Sequence, residues 1–389
     1  MIYLDNAAST QIHEDVLNSM LPYLKEQYGN PSSMHRYGRL AHKAVEKARK
    51  QIASIINAEP SEIILTSGGT ESNNTALRGI TMKNTSGQII TSSIEHDAIL
   101  EPCKKLAQNG FDVDYLPVNQ FGMVECSDLK NYISKKTILV SIMFGNNEVG
   151  TIQPISEIAK ICKEYEVPFH TDAIQAVGKT PIDVKKLNID LLSISSHKLY
   201  GPKGIGALYI KNGIDVDPVI LGGGQERGLR SGTENVASIV GFGKACEIAK
   251  NNLNENILQM KKLRDTLVEK ILNEIPEVIL NGHPRSRLPN NAHFTFFGVN
   301  GEDLIIKLDE YGIAASTGSA CSVNTQKASH VLQAMGFSHE QITGSLRLTI
   351  GIFNDQKEIE QTVNVLKKVV TELRSVSPYK EKYSFVSKI

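Results

Sequence analysis

The sequence predicts an α/β fold in which helices cover a mostly parallel, seven-stranded sheet, with a smaller α+β unit beside it. Seven short runs of β-branched and other apolar residues indicate the strands, at residues 63–66, 88–92, 113–118, 137–143, 168–171, 191–195 and 206–210. Helical patterns separate several of these runs, at residues 72–78, 98–109 and 155–165. This alternation is typical of parallel sheets, because the crossover between two parallel strands is usually a helix.

The segments around these runs complete the predicted architecture. Residues 33–56 have apolar side chains at helical spacing and a charged opposite face, which predicts a long amphipathic helix. Residues 239–275 are helical in pattern and are expected to bridge two domains. The remaining chain mixes strand and helix patterns at residues 292–297, 304–308, 346–350 and 356–375. We therefore predict a large domain of residues 16–250 and a small domain of residues 1–15 and 251–389.

Composition and charge narrow the possible functions. The 389 residues include 42 Lys and Arg against 42 Asp and Glu, so no overall charge favours nucleic acid or an anionic membrane as a partner. The best candidate for a spanning helix, residues 137–144, is far shorter than the roughly 18 residues required. The N-terminus lacks a secretory signal pattern, so a cytoplasmic location is expected. Five dispersed cysteines without CxxC spacing argue against a disulfide framework and a zinc site.

Polar residues follow several predicted strands and are the first candidates for a site. In an open parallel sheet, ligands bind beyond the carboxyl ends of the strands. The run at residues 63–66 leads into a glycine turn with Gly69 and Thr70 that opens a helix, whose free N–H groups suit a phosphate. Later strands lead to His96, Asn147, Asp172 and Gln175. Each of these residues alone is as readily explained by capping or packing, but together they indicate one functional edge of the sheet.

The types of these residues suggest a heteroaromatic cofactor. A carboxylate such as Asp172 can keep a ring nitrogen protonated, which makes the ring an electron sink. His96 can stack on such a ring or move protons near neutral pH. Lys198 follows the run at residues 191–195 and precedes a Gly/Pro-rich turn, which favours a lysine held inside a cleft. Burial and nearby cations lower the pKa of an amine, as a Schiff-base lysine requires.

Two further regions carry residues suited to anions. Ser195 and His197 flank the lysine and can donate hydrogen bonds to a phosphate. The glycine-rich loop at residues 222–233 contains two arginines and suits an anion and a contact between subunits. Arg347 lies among strand-like apolar residues, so a buried guanidinium is expected there to bind a carboxylate.

Cys321 is the cysteine best suited to chemistry. It lies in a run of small residues without helix or strand periodicity, which predicts an accessible loop and a thiol able to act as nucleophile or sulfur carrier. Cys103, Cys162 and Cys246 lie in helical patterns, where a cysteine is usually a small buried hydrophobic residue. Cys126 lies in a polar segment and has no evident role.

At this point the sequence resembles the cysteine desulfurases of the NifS and IscS type, which are class V aminotransferases within the fold-type I enzymes that use pyridoxal 5'-phosphate (PLP). The resemblance covers essentially the whole chain and rests on eight motifs in family order: Tyr3-Leu-Asp-Asn-Ala-Ala-Ser-Thr, Gly29-Asn-Pro-Ser-Ser, Thr66-Ser-Gly-Gly-Thr-Glu-Ser-Asn, Asn146-Asn-Glu-Val-Gly, His170-Thr-Asp-Ala-Ile-Gln, Ser196-His-Lys, Arg230-Ser-Gly-Thr-Glu-Asn and Gly318-Ser-Ala-Cys. Each motif alone is modest, but the set is specific.

The resemblance implies a role for each candidate around PLP. Lys198 would hold the cofactor as a Schiff base, Asp172 would pair with the ring nitrogen, and His96 would stack over the ring. Gln175 would reach the phenolic oxygen, and Asn147 would also contact the cofactor.

The phosphate of the cofactor would have its own set of residues. The resemblance implies contacts from Gly69 and Thr70, from Ser195 and His197, and from Thr233 of the neighbouring subunit. Because that last contact crosses between subunits, a homodimer is the expected state.

The resemblance also implies the reaction. Arg347 and Asn147 would hold the carboxylate of L-cysteine, and Cys321 would attack the substrate sulfur, leaving alanine and an enzyme persulfide. The persulfide would supply an iron–sulfur scaffold protein or another acceptor protein, with tRNA or cofactor thiolation as further destinations.

Three other interpretations remain open from the residues. An aminotransferase or selenocysteine lyase would use Lys198, Asp172 and Arg347 equally well, but an aminotransferase gives no reason for Cys321. A catalytically inert binding subunit would not need these residues together. A nucleotide-binding protein is suggested by the glycines at residues 201–206, but that run precedes a strand and not a helix.

Overall fold

The computed structural model describes residues 1–317 and 328–378. The strands in these residues are β1 (Ile2–Tyr3), β2 (Ile63–Thr66), β3 (Gln88–Ser92), β4 (Asp112–Leu116), β5 (Thr137–Ser141), β6 (Phe169–Asp172), β7 (Leu191–Ser195), β8 (Gly206–Ile210), β9 (Val278–Asn281), β10 (Asn291–Phe296), β11 (Ile313–Ala314) and β12 (Ser345–Thr349). The helices are α1 (Glu14–Lys25), α2 (Arg36–Ile55), α3 (Gly69–Thr81), α4 (Asp97–Gln108), α5 (Cys126–Tyr132), α6 (Ile155–Glu164), α7 (Val236–Asn251), α8 (Leu253–Glu274), α9 (Gly301–Glu310), α10 (His330–Ala334), α11 (His339–Thr343) and α12 (Gln356–Ser375).

The predicted seven-stranded, mostly parallel sheet is confirmed. Its strand order is β2-β8-β7-β6-β5-β3-β4. The pairs from β7 through β4 are parallel, whereas β8 runs antiparallel to both β7 and β2. The carboxyl ends of β3, β5, β6 and β7 therefore lie at one edge, and the residues that follow these strands meet there.

Burial of the sheet on both faces explains why its strands read as continuous apolar runs. Ile90 and Val140 pack into a core that includes helices α2, α6 and α7, whereas their neighbours Ile89 and Leu139 pack into a second core with α3 and α4. Consecutive residues of a strand point to opposite faces, so both faces must be apolar when helices cover both.

A separate core is built mainly by the C-terminal part of the chain. The antiparallel sheet β12-β10-β9 packs there with helices α8, α9 and α12. Ile2 and Leu4 from the N-terminus join this core, and β1 pairs with β11. The division into domains at residues 16–250 and at 1–15 with 251–389 stays a prediction.

The helical pattern predicted at residues 239–275 is confirmed as helix, and it is divided between two elements. The structure has two helices, α7 and α8, which meet at Asn252. The Asn252 side chain donates to the carbonyl of Ile248 (3.2 Å), and its backbone leaves the helical region at φ −106° and ψ 12°. Asparagine favours such breaks because its amide competes for backbone hydrogen bonds. Of the helices described, none is both long and apolar enough to cross a membrane.

Candidate active site

A cavity of about 310 Å³ lies at the carboxyl ends of the parallel strands. It brings together ten of the residues singled out in the sequence: Gly69, Thr70, His96, Asn147, Asp172, Gln175, Ser195, His197, Lys198 and Arg347. Two candidates are not among them. Thr233 lines another cavity, and Cys321 lies outside the described residues. In the part of the chain that is described, no group of three or more His, Cys, Asp and Glu side chains is arranged to hold a metal ion.

Asp172 is a buried carboxylate at the end of β6. Its side-chain Oδ2 accepts a hydrogen bond from Asn73 Nδ2 (2.7 Å), and Oδ1 accepts from the backbone N–H of Ile174 (3.0 Å). Burial raises the pKa of Asp172, although both hydrogen bonds oppose the shift. A cation placed against this carboxylate would be strongly favoured, because an ionised carboxyl is costly to bury without a partner. Asn73 lies on α3 within a motif already singled out, but no feature of the sequence marked it as a partner of Asp172.

Lys198 is held by the N-terminal segment of the chain. Its Nζ donates to the carbonyl oxygens of Ala7 and Ala8, both at 2.6 Å. Gln175 Nε2 also donates to the Ala7 carbonyl (2.9 Å), so one backbone group links two cavity residues. Thr10 reinforces the contact, since its N–H and hydroxyl both donate to the carbonyl of His197 (3.0 and 2.9 Å). Sequence reasoning missed this role of residues 7–10, because backbone carbonyls do not depend on residue type.

The start of α3 forms one wall of the cavity and is built for close approach. A Cβ atom on Gly69 would lie 2.1 Å from Ile174 Cδ1 and 3.5 Å from Ser195 Cβ, so any larger residue would displace Ile174, which lines the same cavity. Thr70 follows at the amino end of the helix, where free N–H groups and the helix dipole favour an anion.

His197 adds a neutral donor to the same wall. Burial, together with the charges of Lys198 and Lys203, lowers the pKa of His197 to about 4. The ring is therefore neutral at pH 7 and has a single N–H to donate. One ring nitrogen, Nδ1, shares a hydrogen bond with Ser9 Oγ (3.2 Å).

His96 both caps helix α4 and lines the cavity. Its Nδ1 accepts a hydrogen bond from the backbone N–H of Ala98 (3.0 Å). Neutral His96 therefore has its proton on Nε2 while this bond is kept. His96 is therefore both a helix cap and a cavity residue. Its roles in stacking and in proton transfer stay predictions.

Arg347 is a buried cation at the side of the cavity formed by β12. One terminal nitrogen forms an ion pair with Asp5 Oδ1 (2.9 Å), and the other donates to the backbone carbonyl of Asn147 (3.0 Å). The residue is 3% exposed. These contacts fix the plane of the guanidinium, which suits two-point binding of a carboxylate. Asp5 was not predicted as a partner, since it lies 342 residues from Arg347 in sequence.

Thr233 lies in a second cavity of about 220 Å³, together with Gly232 and Arg230. Arg230 forms an ion pair with Glu71 (2.8 Å), the residue that follows Thr70 on α3. This ion pair attaches the loop that carries Thr233 to helix α3, whose start lines the Lys198 cavity. Thr233 itself does not line the Lys198 cavity of the same chain.

The cysteines that the structure describes are poor nucleophiles. Cys103, Cys162 and Cys246 are buried, as predicted. Burial raises the pKa of Cys103 and of Cys162 to about 12, and it also raises the pKa of Cys246. Cys126 is partly exposed, at the start of α5, and its pKa is raised as well.

Comparison with known proteins identifies the family. Residues 2–362 match the family model described as aminotransferase class-V. The chain belongs to the aminotransferase class-V family. Among curated members, it is 48% identical over 389 residues to cysteine desulfurase IscS from Dictyoglomus turgidum, covering 100% of this chain and 99% of the relative. It is 51% identical to cysteine desulfurase IscS from Methanosarcina thermophila, covering 97% of this chain and 94% of the relative.

Solved structures of the family share the fold over nearly the full length. A NifS-like protein superposes with a TM-score of 0.90 and 39% identity, covering 95% of this chain and 99% of that one. SspA in complex with cysteine gives a TM-score of 0.82 and 38% identity, covering 91% of this chain and 100% of that one. The fold-type I architecture expected from the sequence is thereby confirmed.

Proposed function

We propose that Lys198, Asp172, Arg347 and Cys321 perform the reaction of a PLP-dependent cysteine desulfurase in this chain. The activity and the cofactor follow from the family and from curated cysteine desulfurases that match the whole chain at about half identity. The observation that carries the assignment of residues is the cavity itself. It places a lysine amine, a buried carboxylate and a fixed arginine around one space.

The residues of this cavity fit PLP. Asp172 is a buried carboxylate suited to a cationic ring nitrogen, and Gly69 and Thr70 lie at the start of α3, whose free N–H groups suit a phosphate. Gln175 uses one amide hydrogen on Ala7, and its second is available for an oxygen of the ring. When bound, PLP supplies an electron sink that makes the Cα proton of an amino acid acidic.

The protein supplies orientation and proton transfer around that sink. Arg347 binds the substrate carboxylate, and its contacts with Asp5 and Asn147 prevent it from turning away. Lys198 Nζ takes the Cα proton, because among residues 1–317 and 328–378 it is the one lysine amine that lines the cavity. Holding the reacting groups in fixed positions is expected to lower the barrier more than any single contact.

Cys321 receives the sulfur. Its thiolate attacks the sulfur of the substrate; the S–S bond forms as the C–S bond breaks, and the electron pair of that bond stays on carbon. Protonation of that carbon leads to alanine, and the enzyme keeps a persulfide without an external oxidant. Backbone hydrogen bonds join Ser316 to Arg347 (2.6 and 3.3 Å), and Cys321 follows Ser316 by five residues.

The test measures sulfide and alanine released from L-cysteine in the presence of a reductant. We expect both products from the natural enzyme, neither from Lys198→Ala, and a loss of at least about 100-fold in sulfide from Cys321→Ser. Cys126→Ser is the matched control, since Cys126 is partly exposed and remote from the cavity lining. Equal sulfide release from Cys321→Ser and the natural enzyme would remove Cys321 from the reaction. Without reductant, the persulfide should be found by mass spectrometry on the Cys321 peptide.

We also propose that the protein works as a homodimer in which Thr233 completes the phosphate site of the other subunit. Thr233 is exposed and lies outside the Lys198 cavity of its own chain. On this proposal, large apolar side chains that are exposed on the single chain, such as Met34 (91% exposed) and Leu221 (78% exposed), are expected to be buried between subunits. Light scattering should give twice the chain mass, and a monomer fully loaded with cofactor would contradict this proposal.

The acceptor of the sulfur is proposed to be an iron–sulfur scaffold protein or another protein thiol. The cytoplasmic location stays a prediction.

A further inference from the structure

Lys179 is a second buried lysine beside the proposed cofactor lysine. It follows β6 by seven residues and is 2% exposed. Its Nζ donates to the backbone carbonyl of Lys198 (3.0 Å) and, at 3.3 Å, to that of Gln175. One buried amine is therefore bonded to the backbones of two residues that line the cavity.

The environment of the Lys179 amine disfavours its positive charge. Among the residues with described positions, no carboxylate forms an ion pair with its Nζ. Burial, together with the nearby charge of Lys198, lowers the pKa of Lys179 to about 7. A buried amine without an acidic partner is costly and is rarely kept for stability alone.

The titratable groups that face this amine are few. A small closed space beside it is lined by His13 at the start of α1, by Lys198, and by Tyr200. Burial raises the pKa of Tyr200 to about 12, so its hydroxyl is neutral at pH 7. His197 is neutral as well, and the charge of Lys179 contributes to its lowered pKa. Lys179 and Lys198 are the two lysines among the residues that line this space.

We infer that Lys179 is a positioning residue for Lys198. It fixes the Lys198 backbone, and its own positive charge disfavours a positive charge on the Lys198 nitrogen. This inference rests on the proposed function, in which Lys198 binds PLP and moves the Cα proton. A lysine must be uncharged to attack a carbonyl or accept a proton, and a neighbouring cation favours that state.

The test uses the PLP-loaded enzyme without substrate. The visible absorbance of PLP bound to a lysine depends on protonation of the linking nitrogen, so its pH midpoint reports the charge environment of Lys198. Lys179→Met removes both the charge and the hydrogen bonds, and Lys179→Gln removes the charge but keeps a donor. We expect the midpoint to rise by about one pH unit in both variants. With L-cysteine, kcat should fall and KM should stay near its original value, because Arg347 is untouched.

Arg374→Met is the matched control. Arg374 is also a buried cation, and it donates to the backbone carbonyls of Phe297 and Glu277 (3.0 and 2.9 Å), away from the cavity. Its loss should lower stability without moving the midpoint. A midpoint unchanged, or lowered, in Lys179→Gln overturns the inference. Lys198→Ala distinguishes failure of the proposed function from failure of this inference. If Lys198→Ala keeps the absorbance of lysine-bound PLP, the proposed function fails. If Lys198→Ala loses that absorbance but the midpoint of Lys179→Gln is unshifted, only the role of Lys179 is wrong.

Discussion

Glu95 is the residue whose environment predicts an unusual pH dependence of stability. It precedes His96 at the edge of the cavity and is 0% exposed. Its Oε1 accepts from Ser92 Oγ (2.6 Å) and from the backbone N–H of Met143 (2.9 Å). Among the residues described, no donor reaches Oε2. Burial, helped by the charge of Asp172, raises the pKa of Glu95 from 4.5 to about 8.

The sign and size of the effect follow from proton linkage. Between pH 4.5 and 8, the folded protein keeps a proton on Glu95 that the unfolded chain has lost. The stability contributed by the neutral carboxyl is therefore fully present below pH 4.5 and is lost as pH rises towards 8. With these two pKa values, the free energy of unfolding should fall by about 2.5 kcal/mol between pH 6 and pH 8.5 from this group alone.

The measurement compares the natural enzyme with Glu95→Gln, which cannot ionise. Urea unfolding at pH 6 and at pH 8.5 gives the free energy of unfolding of each protein. The variant should gain about 2.5 kcal/mol relative to the natural enzyme on going to the higher pH. Other shifted groups, such as Lys179, are present in both proteins and cancel in the difference. Glu101→Gln, at an exposed site, is the control. A difference between the two proteins that does not change with pH would refute the reasoning.

Three substitutions at the cavity have more direct effects on function. Arg347→Met should lower kcat/KM for L-cysteine by about 100- to 1,000-fold, mainly through KM, in steady-state assays; an unchanged KM would contradict carboxylate binding. Asp172→Asn should lower kcat by at least about 100-fold, because a neutral amide cannot balance a cationic ring nitrogen, and an active variant would argue against that contact. Gly69→Ala should weaken PLP binding about 10-fold in equilibrium titrations by displacing Ile174, and adding Ile174→Val should restore it; no rescue would locate the clash elsewhere.

The sheet could be predicted closely from the sequence because glycine or polar residues mark the ends of most of its strands. The bounds of β2, β3, β7 and β8 coincide with the apolar runs, which end at glycine or polar residues. β5 ends at Ser141 rather than at residue 143, although the apolar run continues. Apolar residues beyond a strand can remain buried in the next loop, so hydrophobicity alone does not mark where pairing stops.

The cavity lining could be predicted as a set, but the contacts that fix it could not. A charged residue beside an apolar run can be recognised in the sequence, and this pattern marked Asp172, Lys198 and Arg347. Lys179 was missed because its burial depends on segments distant in sequence. The helical pattern at residues 239–275 did not show the boundary between α7 and α8, because the break at Asn252 has neither glycine nor proline to mark it.

The N-terminal segment explains how two remote parts of the site keep a fixed separation. Asp5 pairs with Arg347, and the carbonyls of Ala7 and Ala8 accept from Lys198 Nζ, so both cations contact a stretch of four residues. Consecutive Cα atoms are about 3.8 Å apart, so the Cα atoms of Asp5 and Ala8 lie at most about 11 Å from each other. An α-amino acid has its carboxylate and its amino nitrogen on one carbon, so Arg347 and the Lys198 region must lie at a fixed spacing to bind both at once. The arginine lies on β12 with the C-terminal core, whereas the lysine follows β7 of the large sheet. Thr10 also donates to the carbonyl of His197 through its N–H and its hydroxyl, so the attachment of this segment beside Lys198 does not depend on the Lys198 nitrogen. Movement of either core against the other would therefore strain the contacts of the segment even when that nitrogen is linked to the cofactor.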